Sequence, residues 1–212
     1  MIETNDKKKH ILETAEELFA LKGFGAATVR DIADAAGVNL AMISYYFGSK
    51  EKLMESLFHE RMDNMKLRVE LLLKDQNLLP FQKIEIILEE YVRKVADKES
   101  FYKILLCEQV MKKNSVIIKL IRELKLSYAA LITELVKEGQ KKKVFRKNVD
   151  VVMALTTMTG TVTQFMINKD YYAEFYGYQN LPAPELKQLI SAKLNAHLKE
   201  IFKTILGFEM KP

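Results

Sequence analysis

A chain of 212 residues, 49% hydrophobic and 29% charged, has the composition of a soluble globular protein long enough for one or two cored domains. Eight glycines and four prolines leave few turn signals for a sheet protein, and the single cysteine excludes an intramolecular disulfide and fits a reducing compartment. The net charge of +5 hints at an anionic partner, yet residues 1–50 are close to neutral and much of the excess lies in the run KKKVFRK at 141–147.

Apolar residues recur at helical spacing almost throughout, so the expected class is all-α, with about nine helices. Ile11, Ala15, Leu18 and Phe19 make the first stripe, closed by Gly23. Thr28 caps a short second helix in a capping-box pattern with Asp31, and Ile32 and Ala35 face inward. Gly37 stops that helix, Asn39 caps a third running to about Tyr46, and Ser49 caps a fourth. The fourth carries Met54, Leu57, Phe58, Met65, Val69 and Leu72 on one side. Pro80 opens a fifth with Ile84, Ile87, Leu88, Tyr91 and Val95, and a sixth covers 99–112. A seventh is marked by Ile117, Ile121, Leu124, Tyr128, Leu131 and Leu135, and an eighth runs over 149–168. The aromatic stretch YYAEFYGYQNLPAPE then reads as a linker to a ninth helix through Leu186, Leu194, Leu198, Ile201 and Phe202. The expected boundary separates a three-helix domain, 1–47, from a larger helical domain, 48–212.

Two short helices joined by a glycine turn form a helix-turn-helix, whose second helix can enter a DNA major groove. Val38, Ile43 and Phe47 are spaced to pack inward, leaving Asn39, Leu40, Ala41, Met42, Ser44, Tyr45 and Tyr46 for the opposite side and its flanks. A helix this short cannot bury so much against two small neighbours, so the surface suits a partner. Ala41 permits close approach. Leu40 and Met42 suit thymine methyls, and Asn39 and Ser44 suit base edges or phosphates. The tyrosine hydroxyls and Lys50 are placed for phosphate oxygens, with Arg30 a weaker candidate. Thr28 and its helix N-terminus offer another anion site.

The segment TVRDIADAAGVNLAMISYYFGSKEKL, 28–53, resembles the DNA-binding segment of the tetracycline-repressor (TetR) family of bacterial regulators. The likeness lies in the Gly–Val turn, the Tyr–x–Phe ending and the SKEKL start of the fourth helix. It covers about the first 60 residues; the rest fits only in length and helical pattern. Many members carry Tyr where this chain has Ser44, and His where it has Tyr46. The resemblance implies double-stranded DNA as partner, and a homodimer that represses transcription and leaves DNA on binding a small molecule. It also supports Lys50 as a DNA contact. A DNA-binding regulator with no small-molecule effector, controlled by a protein partner, is the alternative.

In the larger domain Thr156, Thr157, Thr159, Thr161 and Thr163 surround Gly160. Glycine inside a helix costs about 1 kcal/mol relative to alanine, so something is expected to approach it closely. Thr156, Gly160 and Thr163 with Leu194, Leu198 and Ile201 are the expected dimer interface, as a four-helix contact between copies. The expected lining of an apolar effector pocket is Phe101, Tyr102, Cys107, Met111, Tyr128, Met158, Phe165 and Met166.

His10, His59 and His197 share no ligand spacing with Cys107, so neither a metal nor a cofactor is expected. No nucleophile–base motif or phosphate-binding glycine loop is present, so the chain does not read as an enzyme. The 141–147 run reads as a solvated loop. No apolar run reaches the ~20 residues that span a bilayer, and the N-terminus does not read as a signal peptide, so the expected location is cytoplasmic.

Overall fold

The computed structural model describes the backbone of residues 2–112 and 114–208, and the side chains among them except those of 2–5 and 63–65. Among the described residues ten helices follow in order: α1 (Ile2–Lys22), α2 (Val29–Ala35), α3 (Leu40–Phe47), α4 (Lys50–Lys74), α5 (Pro80–Asp97), α6 (Glu99–Met111), α7 (Ser115–Lys141), α8 (Val151–Ile167), α9 (Lys169–Phe175) and α10 (Ala183–Leu206). No strand occurs among the described residues. The count exceeds the nine expected because the supposed aromatic linker contains α9. That helix is seven residues long, has no side-chain cap, and ends before Gly177 at φ 73°. No described helix is long and apolar enough to cross a membrane.

The chain divides into two compact units, the first Met1–Leu67 with Ser100–Lys125, the second Arg68–Glu99 with Leu126–Pro212. This division does not fall at residue 47, and there is a physical reason. Three short helices cannot bury enough surface alone. Ile11, Ala15 and Phe19 of α1, Ile32 of α2, and Ile43 and Phe47 of α3 share one core with Leu53, Leu57 and Phe58 of α4, Phe101 of α6 and Ile117 of α7. An ion pair in which two guanidinium nitrogens share one carboxylate oxygen reinforces this unit. The Arg61 guanidinium donates to Glu16 at 2.8 and 2.7 Å, with both side chains nearly buried. Ala35 is exposed, contrary to the spacing argument. The chain turns at Ala36 and Gly37, so Ile32, Ala33 and Ala36 supply the buried side instead.

In the second unit α10 packs along α5 and α8. Its core includes Ile84, Leu88, Val92, Leu135, Met158, Leu198 and Phe202. The Lys83 ammonium is fully buried and donates to Glu138 at 2.9 Å and to the Leu73 carbonyl at 3.3 Å. Gly139 is required where it stands, because the Phe145 ring fills the space a Cβ would take. The 141–147 run is a tied loop with exposed cations. Arg146 N–H donates to the Leu206 carbonyl at 2.8 Å, and the Gln140 side chain donates to the carbonyls of Arg146 and Lys147. Val69 and Leu72 are buried as the stripe of the fourth helix requires, while Met65 lies outside the described side chains.

Candidate nucleic-acid interface

The reading head is assembled by local hydrogen bonds that the sequence itself dictates. Thr28, in extended backbone, caps α2: Asp31 N–H donates to its hydroxyl oxygen at 3.0 Å, while Thr28 N–H and hydroxyl both donate to the Asp31 carboxylate at 2.8 Å. These bonds, with Lys22 at 3.3 Å, hold the Asp31 carboxyl at a pKa of about 2, well below the usual carboxylate range. The anion at this helix start is therefore Asp31. The Thr28 hydroxyl and N–H are committed to it, so Thr28 is a cap and not a free phosphate donor.

Gly37 at φ 63° makes the turn, with Val38 N–H donating to the Ala33 carbonyl at 3.0 Å. Asn39 then caps α3 through its side-chain oxygen, which accepts from Met42 N–H at 2.9 Å. Gly48 at φ 77° closes α3, and the Ser49 hydroxyl oxygen accepts from Lys52 N–H at 3.2 Å at the start of α4. Two tight turns and two caps thus fix an eight-residue helix.

Burial on α3 is one-sided. Ile43 and Phe47 are buried, and Val38 packs beside them. The opposite side is open: Tyr45 is 83% exposed and Leu40 44%, with Asn39, Ala41 and Ser44 also exposed. Met42 and Tyr46 are half-buried on the flank, and Tyr46 packs against the core with its ring edge-on to Tyr45 at 5.3 Å. The structure therefore gathers Asn39, Leu40, Ala41, Ser44 and Tyr45 on one surface, bordered by Met42 and Tyr46. Arg30 is exposed on α2.

Lys50 departs from its expected role. Its ammonium donates to the main-chain carbonyls of Phe24 at 2.9 Å and Ala27 at 3.0 Å, and lies 4.6 Å from the centroid of the Phe24 ring. It fastens the first turn of α4 to the α1–α2 connection. The Lys8 ammonium stands 5.7 Å from the Phe47 ring centroid at the end of α3.

The remaining predicted residues scatter. Phe101 and Met158 are core residues, of the first and second unit respectively. Cys107 and Met111 are exposed, not enclosed. Tyr102, Tyr128, Phe165 and Met166 are partly buried. Burial raises the pKa of the Tyr102 hydroxyl, and Phe165 stacks on Tyr172 at 3.7 Å. Two open grooves in the second unit, of about 460 and 510 Å³, are lined by other residues, among them Glu134 and Glu138 in one and Arg68, Arg93 and Asn195 in the other. Among the described residues no group of His, Cys, Asp and Glu is arranged to hold a metal ion.

Of the expected dimer residues, Leu194 and Leu198 are buried in their own unit, Leu198 completely. The apolar stripe of α10 is used up against α5 and α8 and leaves nothing of these two for a partner. Ile201 is partly buried. The open surface belongs to α8, where Val152 is 63% and Met153 61% exposed, with Thr156, Gly160 and Ile167 exposed and Thr163 half-exposed. At 100° per residue these positions fall within a third of the helix circumference. A Cβ built on Gly160 would meet nothing within 4 Å.

Two family models match the chain: "Bacterial regulatory proteins, tetR family" over residues 11–57, and "Tetracyclin repressor-like, C-terminal domain" over residues 80–194. The HTH-type transcriptional repressor KstR2 of Mycobacterium tuberculosis is 38% identical over 61 residues, 29% of this chain and 30% of that protein. The chain thus matches under a third of the length of the first curated relatives. The fatty acid metabolism regulator protein of Bacillus subtilis is 25% identical over 176 residues, 81% of this chain and 90% of that protein. Among solved structures, the fatty acid degradation regulator FadR from Bacillus halodurans superposes with a TM-score of 0.65 at 25% identity, covering 91% of this chain and 94% of that one.

Proposed function

This chain belongs to the TetR family of bacterial regulatory proteins, and from that premise we propose that it is a cytoplasmic, homodimeric, sequence-specific DNA-binding repressor. A small apolar effector releases it from a palindromic operator. The observation that carries the DNA reading is the open side of α3. A helix pinned by caps at both ends presents Leu40, Ala41, Ser44 and Tyr45 outward with no part of the described chain over them. That surface is small enough at Ala41 to enter a major groove, and it offers hydroxyls at Ser44 and Tyr45 for phosphate or base-edge oxygens.

The uncharged face of α8 supports dimerisation. One α3 reads only a few base pairs; two related by a two-fold axis read half-sites about 34 Å apart, or a multiple of it. The effector reading draws on the relatives. Two of them are regulators of fatty acid metabolism or degradation by name, which makes fatty acyl compounds the first ligands to test. An effector acts only through a difference in affinity between the DNA-competent and DNA-incompetent conformations. A second reading, a regulator governed by a protein partner and without a small effector, draws on the two grooves, whose charged linings suit an apolar ligand poorly.

Selection of bound duplexes from a random-sequence pool tests the proposal. A palindromic consensus is expected, with binding weakened by an acyl compound under the first reading and not under the second. Recovery of no enriched sequence above the starting pool refutes sequence-specific binding.

A further inference from the structure

We propose that Lys8 is the cation that meets a backbone phosphate beside the recognition helix, and that Lys50, for which sequence argues that role, is a positioning residue. The inference rests on the DNA-binding reading above and assigns its electrostatic contact.

Lys50 has little left to offer a duplex. Two of its three ammonium donors are taken by the Phe24 and Ala27 carbonyls, and the Phe24 ring lies against the charge. Turning it outward would leave two carbonyl oxygens without this donor. Two other cations of the head are also engaged, while Arg30 lies exposed on α2. Lys9 stands 4.0 Å from Glu13, and Lys22 pairs with Asp31 at 3.3 Å.

Lys8 differs in its place on α1. Ile11, Leu12, Ala15 and Phe19, three, four, seven and eleven residues further on, form the buried stripe of that helix. Lys8 continues this stripe past the edge of the core, where Asp6, Lys7, Lys9 and His10 around it are exposed. An apolar residue there would have half its surface in water. A lysine lays its aliphatic stem along the edge and carries its charge beyond it. The ammonium consequently faces the Phe47 ring at 5.7 Å rather than a carboxylate of the described residues. Phe47 is the last residue of α3, so the charge is delivered to the C-terminal end of the recognition helix. The negative end of the α3 dipole also favours a cation there. A duplex seated on the open side of α3 would find this ammonium at the margin of the contact, where backbone phosphates run.

The test compares Lys8→Gln and Lys50→Met in the full chain. Affinity is measured across a salt series on two probes, a short mixed-sequence duplex and the duplex recovered by selection. Lys8→Gln is expected to keep the wild-type melting temperature and reduce the slope of log K against log salt by about 0.9 per subunit. Affinity falls about fivefold per subunit near physiological salt, the same slope read down from molar salt. Lys8→Arg keeps the slope. Lys50→Met is expected to lower the melting temperature and weaken binding by the same factor at every salt concentration, giving a parallel line, and Lys50→Arg restores most of both. A wild-type slope in Lys8→Gln, while the wild-type protein binds, overturns the proposal alone. So does a reduced slope at unchanged melting temperature in Lys50→Met. Failure of the wild-type protein to bind either duplex removes the DNA reading and this proposal with it.

Discussion

Helices α3 and α8 each leave one side uncovered, and the chemistry around the two bare sides is opposite. On α3 the exposed Leu40 and Ala41 are bordered by the Asn39 amide, the Ser44 and Tyr45 hydroxyls and, at the end of the helix, the Lys8 ammonium. On α8 there is no charged residue from Val151 to Ile167. Three of its five threonines turn their hydroxyls back into the helix: Thr156 donates to the Val152 carbonyl at 2.8 Å, Thr157 to Met153 at 2.9 Å and Thr159 to Leu155 at 2.9 Å. What α8 offers outward includes methyl groups, the apolar side chains of Val152, Met153 and Ile167, and a glycine. A surface with its polar groups already satisfied loses little on leaving water. A surface rich in free donors suits a hydrated, charged partner. Exposure alone would class the two helices together; under the proposed function, what borders the exposed carbon separates a duplex face from a protein face.

Three substitutions probe that contrast. Ile43→Ala removes a buried side chain from the covered side of α3 and should cost about 2–5 kcal/mol of stability, read by denaturant unfolding. A cost near zero would mean that α3 is not anchored on that side, and its orientation would lose its basis. Gly160→Leu should act in the other unit without harming the fold. Nothing beyond the backbone of its own helix and its two chain neighbours lies within 4 Å of the added carbon, and replacing glycine inside a helix gains up to about 1 kcal/mol. Sedimentation should nonetheless show the dimer dissociating, and a fully dimeric variant would remove α8 from the interface. Asp31→Asn should give the smallest effect, confined to acid. The folded state holds this carboxyl near a pKa of 2, below its unfolded value, so the folded protein binds fewer protons and gains stability with rising pH. That gain is complete above the ordinary carboxylate range and is lost as pH falls toward 2. The variant lacks it, so the two melting curves should converge in strong acid. A gap that stays constant would mean Asp31 is not the group responsible.

Local chemistry made much of the head legible. Thr28, Asn39 and Ser49 cap helices through bonds to residues three positions away, and Gly37 adopts a backbone angle that other residues resist. Such contacts are written in short spacing. The intrachain bonds of Lys50 were not legible, because its partners lie 23 and 26 residues back, in a turn that only tertiary folding brings near. The Arg61–Glu16 and Lys83–Glu138 pairs, 45 and 55 residues apart, were hidden for the same reason. Leu194 and Leu198 show a different limit. An apolar stripe announces that a helix face is covered, but not whether its own chain or another covers it. Gly160 stands in open space in the middle of its helix, so no neighbour within the described chain makes the close approach expected of it. The helix α9 escaped notice because seven residues, rich in aromatics and without a side-chain cap, carry too little periodicity to declare it.

The central claim is that the open side of α3 is what touches DNA, and Ala41→Glu addresses it most directly. Ala41 is exposed in the middle of that side, so a carboxylate there is compatible with the fold while adding bulk and negative charge where a duplex would sit. With the melting temperature and dimer unchanged, affinity for the selected duplex should fall to the level of a mixed-sequence duplex or below. Wild-type affinity in that variant would contradict the account.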